Sequence, residues 1–271
     1  MRFVPVDTVP LFPALRAELL AVLRDLRAEE WLNATVCPGW SVQDVAAHLL
    51  GVELGNVASR RDGWKTGPPS DTDPDTWLNA FNNEWALASR RLSPPVIMEL
   101  LDLAGTWFES YLADLDLAST GAPVGWASGD EPAPVWLDVA REYTERWVHQ
   151  QQIRESTGRK LLLEARFAAP VIATFVHGLV PALASADEPD GTVVEFAVDG
   201  AGGGVWRLQR TPSGWEFRES PAARVACRVG TTVDGAWRMF TSNPDTPRIR
   251  IEGDLELGRA MSRGRAILGL G

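Results

Sequence analysis

The sequence predicts a chain in two parts, an N-terminal all-α bundle over residues 1–185 and a C-terminal α+β domain over residues 192–271. Three observations predict it. Apolar residues recur at helical spacing up to about residue 184, the period turns strand-like beyond Gly191, and the polar stretch Ser185-Ala186-Asp187-Glu188-Pro189-Asp190-Gly191 between them has the composition of a hinge. With 271 residues there is chain enough for two domains that each bury a core.

Leu11, Leu15, Leu19, Leu23 and Leu26 form an apolar stripe opposite Arg and Glu, predicting a first helix over residues 10–30 with Pro10 and Pro13 in its first turn. After a turn at Pro38-Gly39-Trp40, Ser41 followed by Asp44 is an N-cap signature. Val42, Val45, Ala46, Leu49, Val52 and Leu54 then carry a long apolar face, with His48 inside it. The Gly-, Pro-, Ser- and Asp-rich loop 62–74 ends that helix. A third helix follows over 75–92 with Trp77, Phe81, Trp85 and Ala88 at helical spacing, and a fourth over 95–117, set apart by Pro94-Pro95. Residues 121–134 read as turns. Residues 135–157 read as a helix with Pro134 near its start and Gly158 past its end, and residues 164–184 as a further amphipathic helix. Beyond the hinge, strands are expected at 192–198, 204–210, 214–219, 223–229 and 248–252 in a small antiparallel sheet, with helices at 231–240 and 255–268.

Composition narrows the function. A formal net charge of −10 disfavours a general nucleic-acid binder, which needs a basic face to neutralise phosphates. No apolar run approaches the roughly 20 residues that cross a bilayer, and the N-terminus has neither an apolar signal core nor a cleavage site, so a cytoplasmic protein is expected. Cys37 and Cys227, far apart in sequence, offer no disulfide framework and no Cys-x-x-Cys knuckle. Cys37 reads either as a thiol of lowered pKa just before a helix or as a small residue in a turn.

The chemistry centres on Arg141-Glu142-Tyr143-Thr144-Glu145-Arg146-Trp147-Val148-His149. Glu145 and His149, four apart, lie on one helix face and can reach one cation. The remaining histidines are His48 and His177, and a ligand pair on one helix with a third ligand from a neighbour is how bundles build internal metal sites. Two nitrogens and one carboxylate oxygen suit Zn²⁺ with a fourth position open, and Fe, Mn, Ni or Co suit the same set. Spacing alone leaves the alternative open: such pairs occur by chance, and a lone histidine on an apolar face is often a hydrogen-bonded core residue. His177 reads as packing. No His-Glu-x-x-His or Gly-x-Ser-x-Gly motif is present, and Gly202-Gly203-Gly204 reads as a turn between strands.

The segment Thr35-Val36-Cys37-Pro38-Gly39-Trp40-Ser41-Val42-Gln43-Asp44-Val45-Ala46-Ala47-His48-Leu49, together with Glu145-Arg146-Trp147-Val148-His149, resembles the mycothiol-dependent maleylpyruvate isomerase family. That resemblance implies a DinB-like metal-binding four-helix bundle followed by a sterol-carrier-protein-like α+β domain, and Ile251-Glu252-Gly253-Asp254-Leu255-Glu256-Leu257 looks like the strand-to-helix Gly-Asp motif of the latter. It also implies that His48, Glu145 and His149 bind a divalent metal, zinc first among the candidates, with mycothiol as thiol cofactor. A catalytic arginine comes from the C-terminal domain in that family, and Arg238 is the candidate here. Where many members carry an acidic residue three positions after the second metal histidine, this chain has Gln152, so a different substrate or second shell is expected.

The function implied is a metal- and thiol-dependent isomerase of the maleylpyruvate type, or a thiol S-transferase acting on a small electrophile. The alternatives are a small-molecule or lipid-binding protein with a structural metal, and a metal-dependent hydrolase with Glu142 as the nearest carboxylate for a general base. The expected partners are a small-molecule thiol and an electrophilic substrate, without nucleic acid or membrane, in a monomer or small homo-oligomer.

Overall fold

The structure, a computed structural model, describes residues 4–64, 67, 71–219, 224–241 and 249–266. Helices α1 (Phe12–Arg24), α2 (Val42–Asn56), α3 (Pro74–Ser89), α4 (Pro94–Ala113), the single turn α5 (Gly125–Ser128), α6 (Val135–Ser156), α7 (Ala165–Phe175) and α8 (Leu179–Ala182) come first. Strands β1 (Val193–Asp199), β2 (Gly204–Thr211), β3 (Gly214–Arg218) and β4 (Cys227–Thr232) follow, then α9 (Val233–Phe240), β5 (Arg250–Gly253) and α10 (Leu255–Ser262). The expected starts at Ala223 and Arg248, the expected end at Leu268, and part of the loop 62–74 lie outside the described residues.

The chain divides into two compact units. One comprises residues 9–115 and 145–161, the other residues 1–8, 116–144 and 162–268, so α6 contributes its first part to the second unit and its last part to the first.

The helical unit is built on α2. Ser41 accepts a hydrogen bond from the Asp44 N–H while the Asp44 carboxylate accepts from the Ser41 N–H, a reciprocal cap that fixes where the helix begins. Val42, Val45, Ala46, Leu49 and Leu50 are buried against Leu19 and Leu23 of α1 and Ile97, Leu101 and Ala104 of α4. The first helix stops at Arg24, short of residue 30. Arg27 is extended (φ −73°, ψ 157°), and a separate 3₁₀ turn, Ala28–Leu32, starts after it, with Glu30 accepting from the Arg27 N–H at 2.7 Å. On α3 the expected apolar face is packed only in part: Trp85 is half-buried against the core, and Phe81 and Ala88 are exposed. Ala86 and Ser89 are buried, whereas Phe81 is 44% exposed and stacks on Trp77 with ring centroids 5.0 Å apart. What orients α3 is Trp85, whose Nε1–H donates to the Ala47 carbonyl at 2.7 Å; a Cβ on Gly51 would lie 2.6 Å from that indole.

In the sheet unit the strand order is β3-β2-β1-β4-β5, and the sheet is mixed, correcting the antiparallel expectation. β1 pairs antiparallel with β2 but parallel with β4, because after the β2–β3 hairpin the chain returns to the opposite side of β1. Thr231 and Thr232 belong to β4, and Thr232 caps α9 through the Gly235 N–H. Val194, Phe196, Leu208 and Val229 are buried with Trp237, Phe240 and Met261 of α9 and α10.

The helix expected over 164–184 is interrupted by a 3₁₀ turn, Val176–Gly178. Pro181 has no N–H to give the carbonyl of His177, four residues earlier, so the α-helical ladder cannot run through unbroken. Residues 165–182 also correct the expectation on apolar runs. They form an 18-residue stretch of mean hydropathy 1.3, long and apolar enough to cross a bilayer by composition, yet mostly buried as core.

Candidate metal centre

Each side chain of the centre is positioned by a local feature of the helical unit. Pro38 and Gly39 (φ 76°) make a turn closed by the Trp40 N–H on the Cys37 carbonyl at 3.0 Å, with the positive φ that glycine adopts freely. That turn aims Cys37 inward and sets Trp40 beside His48, ring centroids 5.0 Å apart, and the Trp40 indole N–H donates to Asn83 Oδ1 at 2.8 Å. The capped α2 then carries His48 two turns in, and the end of α6 in the same unit carries Glu145, His149 and Gln152 on one face.

His48, Glu145 and His149 come together. Glu145 Oε1 lies 3.1 Å from His48 Nε2 and 3.0 Å from His149 Nε2, and the three ligand atoms are all within 4.8 Å of one another. The two imidazoles meet edge-on, centroids 4.8 Å apart at 72°. A tetrahedral ion with ligands at about 2.0–2.2 Å separates its ligand atoms by about 3.3–3.6 Å. The two nitrogen–oxygen separations are within a few tenths of an ångström of that, and the donor types, two neutral imidazoles and a carboxylate, are those of borderline divalent cations. The residues therefore fit a divalent metal.

Electrostatics at the centre are polarised. Burial holds His48 below its ordinary imidazole value even though Glu145 accepts from it. Burial pushes His149 down as well, but the Glu145 carboxylate outweighs this and raises it. Glu145 is in turn held well below the usual carboxylate range: burial would raise it, and the His149 charge prevails. Without a cation, His149 and Glu145 thus behave as an ion pair beside a neutral His48.

Of the next layer the sequence pointed to Gln152 alone; the Cys37 contact and the Glu53–Arg146 pair were missed. Gln152 Oε1 lies 2.7 Å from His149 Nδ1, and Cys37 donates its thiol to the same oxygen at 3.2 Å. On the adjacent stripe of the same helices, Arg146 and Glu53 form a buried bidentate pair at 2.7 and 2.9 Å, and the guanidinium lies over the rings of Phe108 and Phe12, 4.7 and 5.4 Å from their centroids. The i,i+3 spacing of His149 and Gln152 was a usable signal; the Cys37 contact, 115 residues away, left none.

The other candidates belong to the sheet unit. Arg238 lies on α9, with its Nε–H on Asp234 Oδ1 at 3.0 Å and its guanidinium over Trp237. Glu142 is buried and paired with Arg141 at 2.6 Å. His177 is buried against Trp136 and Phe217, and burial lowers its pKa to about 4.

Comparison with known proteins covers both parts of the chain. Residues 12–154, just over half of it, match the family model described as the mycothiol maleylpyruvate isomerase N-terminal domain. Among solved structures, the chain is similar to the crystal structure of the mycothiol-dependent maleylpyruvate isomerase at 12% identity and a TM-score of 0.52, and to that of a mutant of this isomerase at 12% identity and 0.53. Each likeness covers 89% of this chain and 90% of the other, and at that identity it establishes the arrangement of a helical region followed by a mixed-sheet domain. No curated protein matches.

Proposed function

We propose that this chain, which belongs to the mycothiol maleylpyruvate isomerase N-terminal domain family, is a metal- and mycothiol-dependent enzyme acting on a small electrophile, as an isomerase of the maleylpyruvate type or as a thiol S-transferase. The observation that carries the reading is the convergence of His48, Glu145 and His149 inside the matched region, from two helices and 97 residues apart in sequence. In this reading the three residues hold a divalent cation, zinc first, in a DinB-like bundle, and the C-terminal domain is of the sterol-carrier type, with the modules at 1–185 and 192–271 and the protein in the cytoplasm.

When bound, such a cation supplies the positive charge that lets a thiol ionise at neutral pH. The protein's own residues do the rest. His48 and His149 present Nε2, Glu145 contributes the single negative charge, and Trp40 covers the His48 ring. Addition of a thiolate to an activated cis alkene makes the double bond a single bond; rotation and expulsion of the thiolate then give the trans isomer, whereas a transferase would release the adduct. Arg238 is kept as the candidate for binding an anionic substrate group.

The test is metal content by elemental analysis together with isomerisation of maleylpyruvate in the presence of mycothiol. Stoichiometric metal lost in His149→Ala, with turnover only when thiol is added, is the expected result. Wild-type protein and His149→Ala holding metal equally well would overturn the site, and turnover independent of thiol would overturn the thiol half alone.

A further inference from the structure

We infer that Gln152 is a positioning residue for the centre, fixing the His149 ring and its tautomer, with Cys37 locking the Gln152 carboxamide in place. The inference rests on the metal reading above. Gln152 is 3% exposed and Cys37 likewise 3%, so neither group exchanges its partner for water. The carboxamide oxygen can only accept, and two groups reach it: His149 Nδ1 at 2.7 Å and the Cys37 thiol at 3.2 Å. With a cation in place of the Nε2 proton that otherwise pairs with Glu145 Oε1, a proton held on Nδ1 leaves the Nε2 lone pair free for that cation, which is the form a metal-binding imidazole takes.

The order of the contacts explains why a neutral amide suffices. A carboxamide in this position has two faces, an oxygen that accepts and an NH₂ that donates, and only the first selects the Nδ1–H tautomer. Cys37 supplies the selection. Its S–H, brought inward by the Pro38-Gly39 turn, donates to the same oxygen and so favours the orientation in which oxygen faces His149. The two segments that carry the centre, the turn before α2 and the end of α6, are thereby joined a second time, through a bond that touches no metal.

The experiment measures Zn²⁺ affinity by competition with a chromophoric chelator, and the ligand field of the Co²⁺-substituted protein by its visible spectrum, for wild type, Gln152→Leu, Gln152→Glu and Cys37→Ala. Loss of an outer partner of a metal-binding histidine costs about 10- to 100-fold in affinity. Gln152→Leu is expected to lose that much and to shift the Co²⁺ bands. Gln152→Glu, which offers an oxygen in either orientation, is expected to keep wild-type affinity or better, and Cys37→Ala to fall between wild type and Gln152→Leu. Equal losses in Gln152→Leu and Gln152→Glu would mean that the side chain only fills space and would overturn the inference. So would a Gln152→Leu protein that binds Zn²⁺ as wild type does. A wild-type chain that takes up no Zn²⁺ overturns the metal reading itself and this inference with it, an outcome distinct from either of the others.

Discussion

Replacing Glu53 by Gln should destabilise the helical unit severely while leaving its shape almost unchanged. The side chains of Glu53 and Arg146 are 9% and 8% exposed, and both guanidinium bonds, 2.7 and 2.9 Å, go to the two carboxylate oxygens. Arg146 also lies over the Phe108 and Phe12 rings, so its charge is held among α1, α2, α4 and α6. Removing one partner of such a buried pair costs about 3–5 kcal/mol, because the remaining charge stays buried. At about 2–4 °C per kcal/mol for a chain of this size, that is a fall in Tm of roughly 10 °C. Urea unfolding followed by tryptophan fluorescence measures it, and a double-mutant cycle separates pair from burial: Glu53→Leu with Arg146→Met should recover most of the loss, since an apolar pair of similar volume is often neutral or stabilising. A cost below about 1 kcal/mol for Glu53→Gln, the value of an exposed pair, would refute the claim that this charge is sealed in the core.

Three further outcomes are expected. His177, 1% exposed, has its pKa lowered to about 4 from 6.5, so the native state holds it neutral while the unfolded chain protonates it. Its contribution is therefore present above about pH 6.5 and is lost as pH falls towards about 4, up to about 3 kcal/mol; urea midpoints should fall across that window, and less steeply in His177→Phe. Ser41→Ala removes the acceptor for the Asp44 N–H at the start of α2 and should cost about 1 kcal/mol in chemical denaturation, with a smaller loss for Ser41→Gly. Gln152→Glu adds a second negative charge beside the centre, and calorimetric titration of the Zn²⁺-loaded variant with mycothiol should give thiol affinity lower by on the order of 10-fold or more, the scale of one added charge at an effective dielectric of about 20; unchanged thiol affinity would mean that the thiol does not bind as an anion.

Features set by neighbouring residues were legible, and features set by chain closure were not. The start of α2 was readable because Ser41 and Asp44 satisfy each other within one turn, and the end of α6 at Ser156 because Gly158 follows it. The direction of β4 was not. Alternation says that a strand has two faces but not which neighbour it takes, and the parallel β1–β4 pair depends on where the chain re-enters the sheet. The face of α3 was legible at Trp85 but not at Phe81 and Ala88, for a related reason. Trp77, Phe81 and Trp85 keep helical period, but only Trp85 reaches the core, through its bond to the Ala47 carbonyl, while Phe81 is exposed and stacks on Trp77. At the centre, spacing gave Glu145 and His149 as a pair, the capped helix after Pro38-Gly39-Trp40 offered His48 as the third ligand, and the likeness to a known family made their convergence the expected one. The Cys37–Gln152 contact had no such guide.

The assignment of stripes on α2 and α6 explains how one helix pair serves two purposes. Successive residues of a helix differ by about 100° around its axis, so Glu145, His149 and Gln152 share one stripe and Arg146 and Gln150 the next. On α2, His48 belongs to the first stripe and Leu49 and Glu53 to the second. The second stripe faces α1 and α4, where Glu53 is paired with Arg146 and Gln150 donates to the Leu15 carbonyl at 3.2 Å. Opposite charges on the neighbouring residues Glu145 and Arg146 therefore point to different jobs, one to the cluster and one to the bundle core. The buried ion pair fixes the rotation of α6 against α2, and with it the approach of His149 to His48. On the proposed metal reading, conservative changes on the stripe of His48 would alter which cation or anion the centre prefers, while those on the stripe of Glu53 would alter whether the two histidines meet at all.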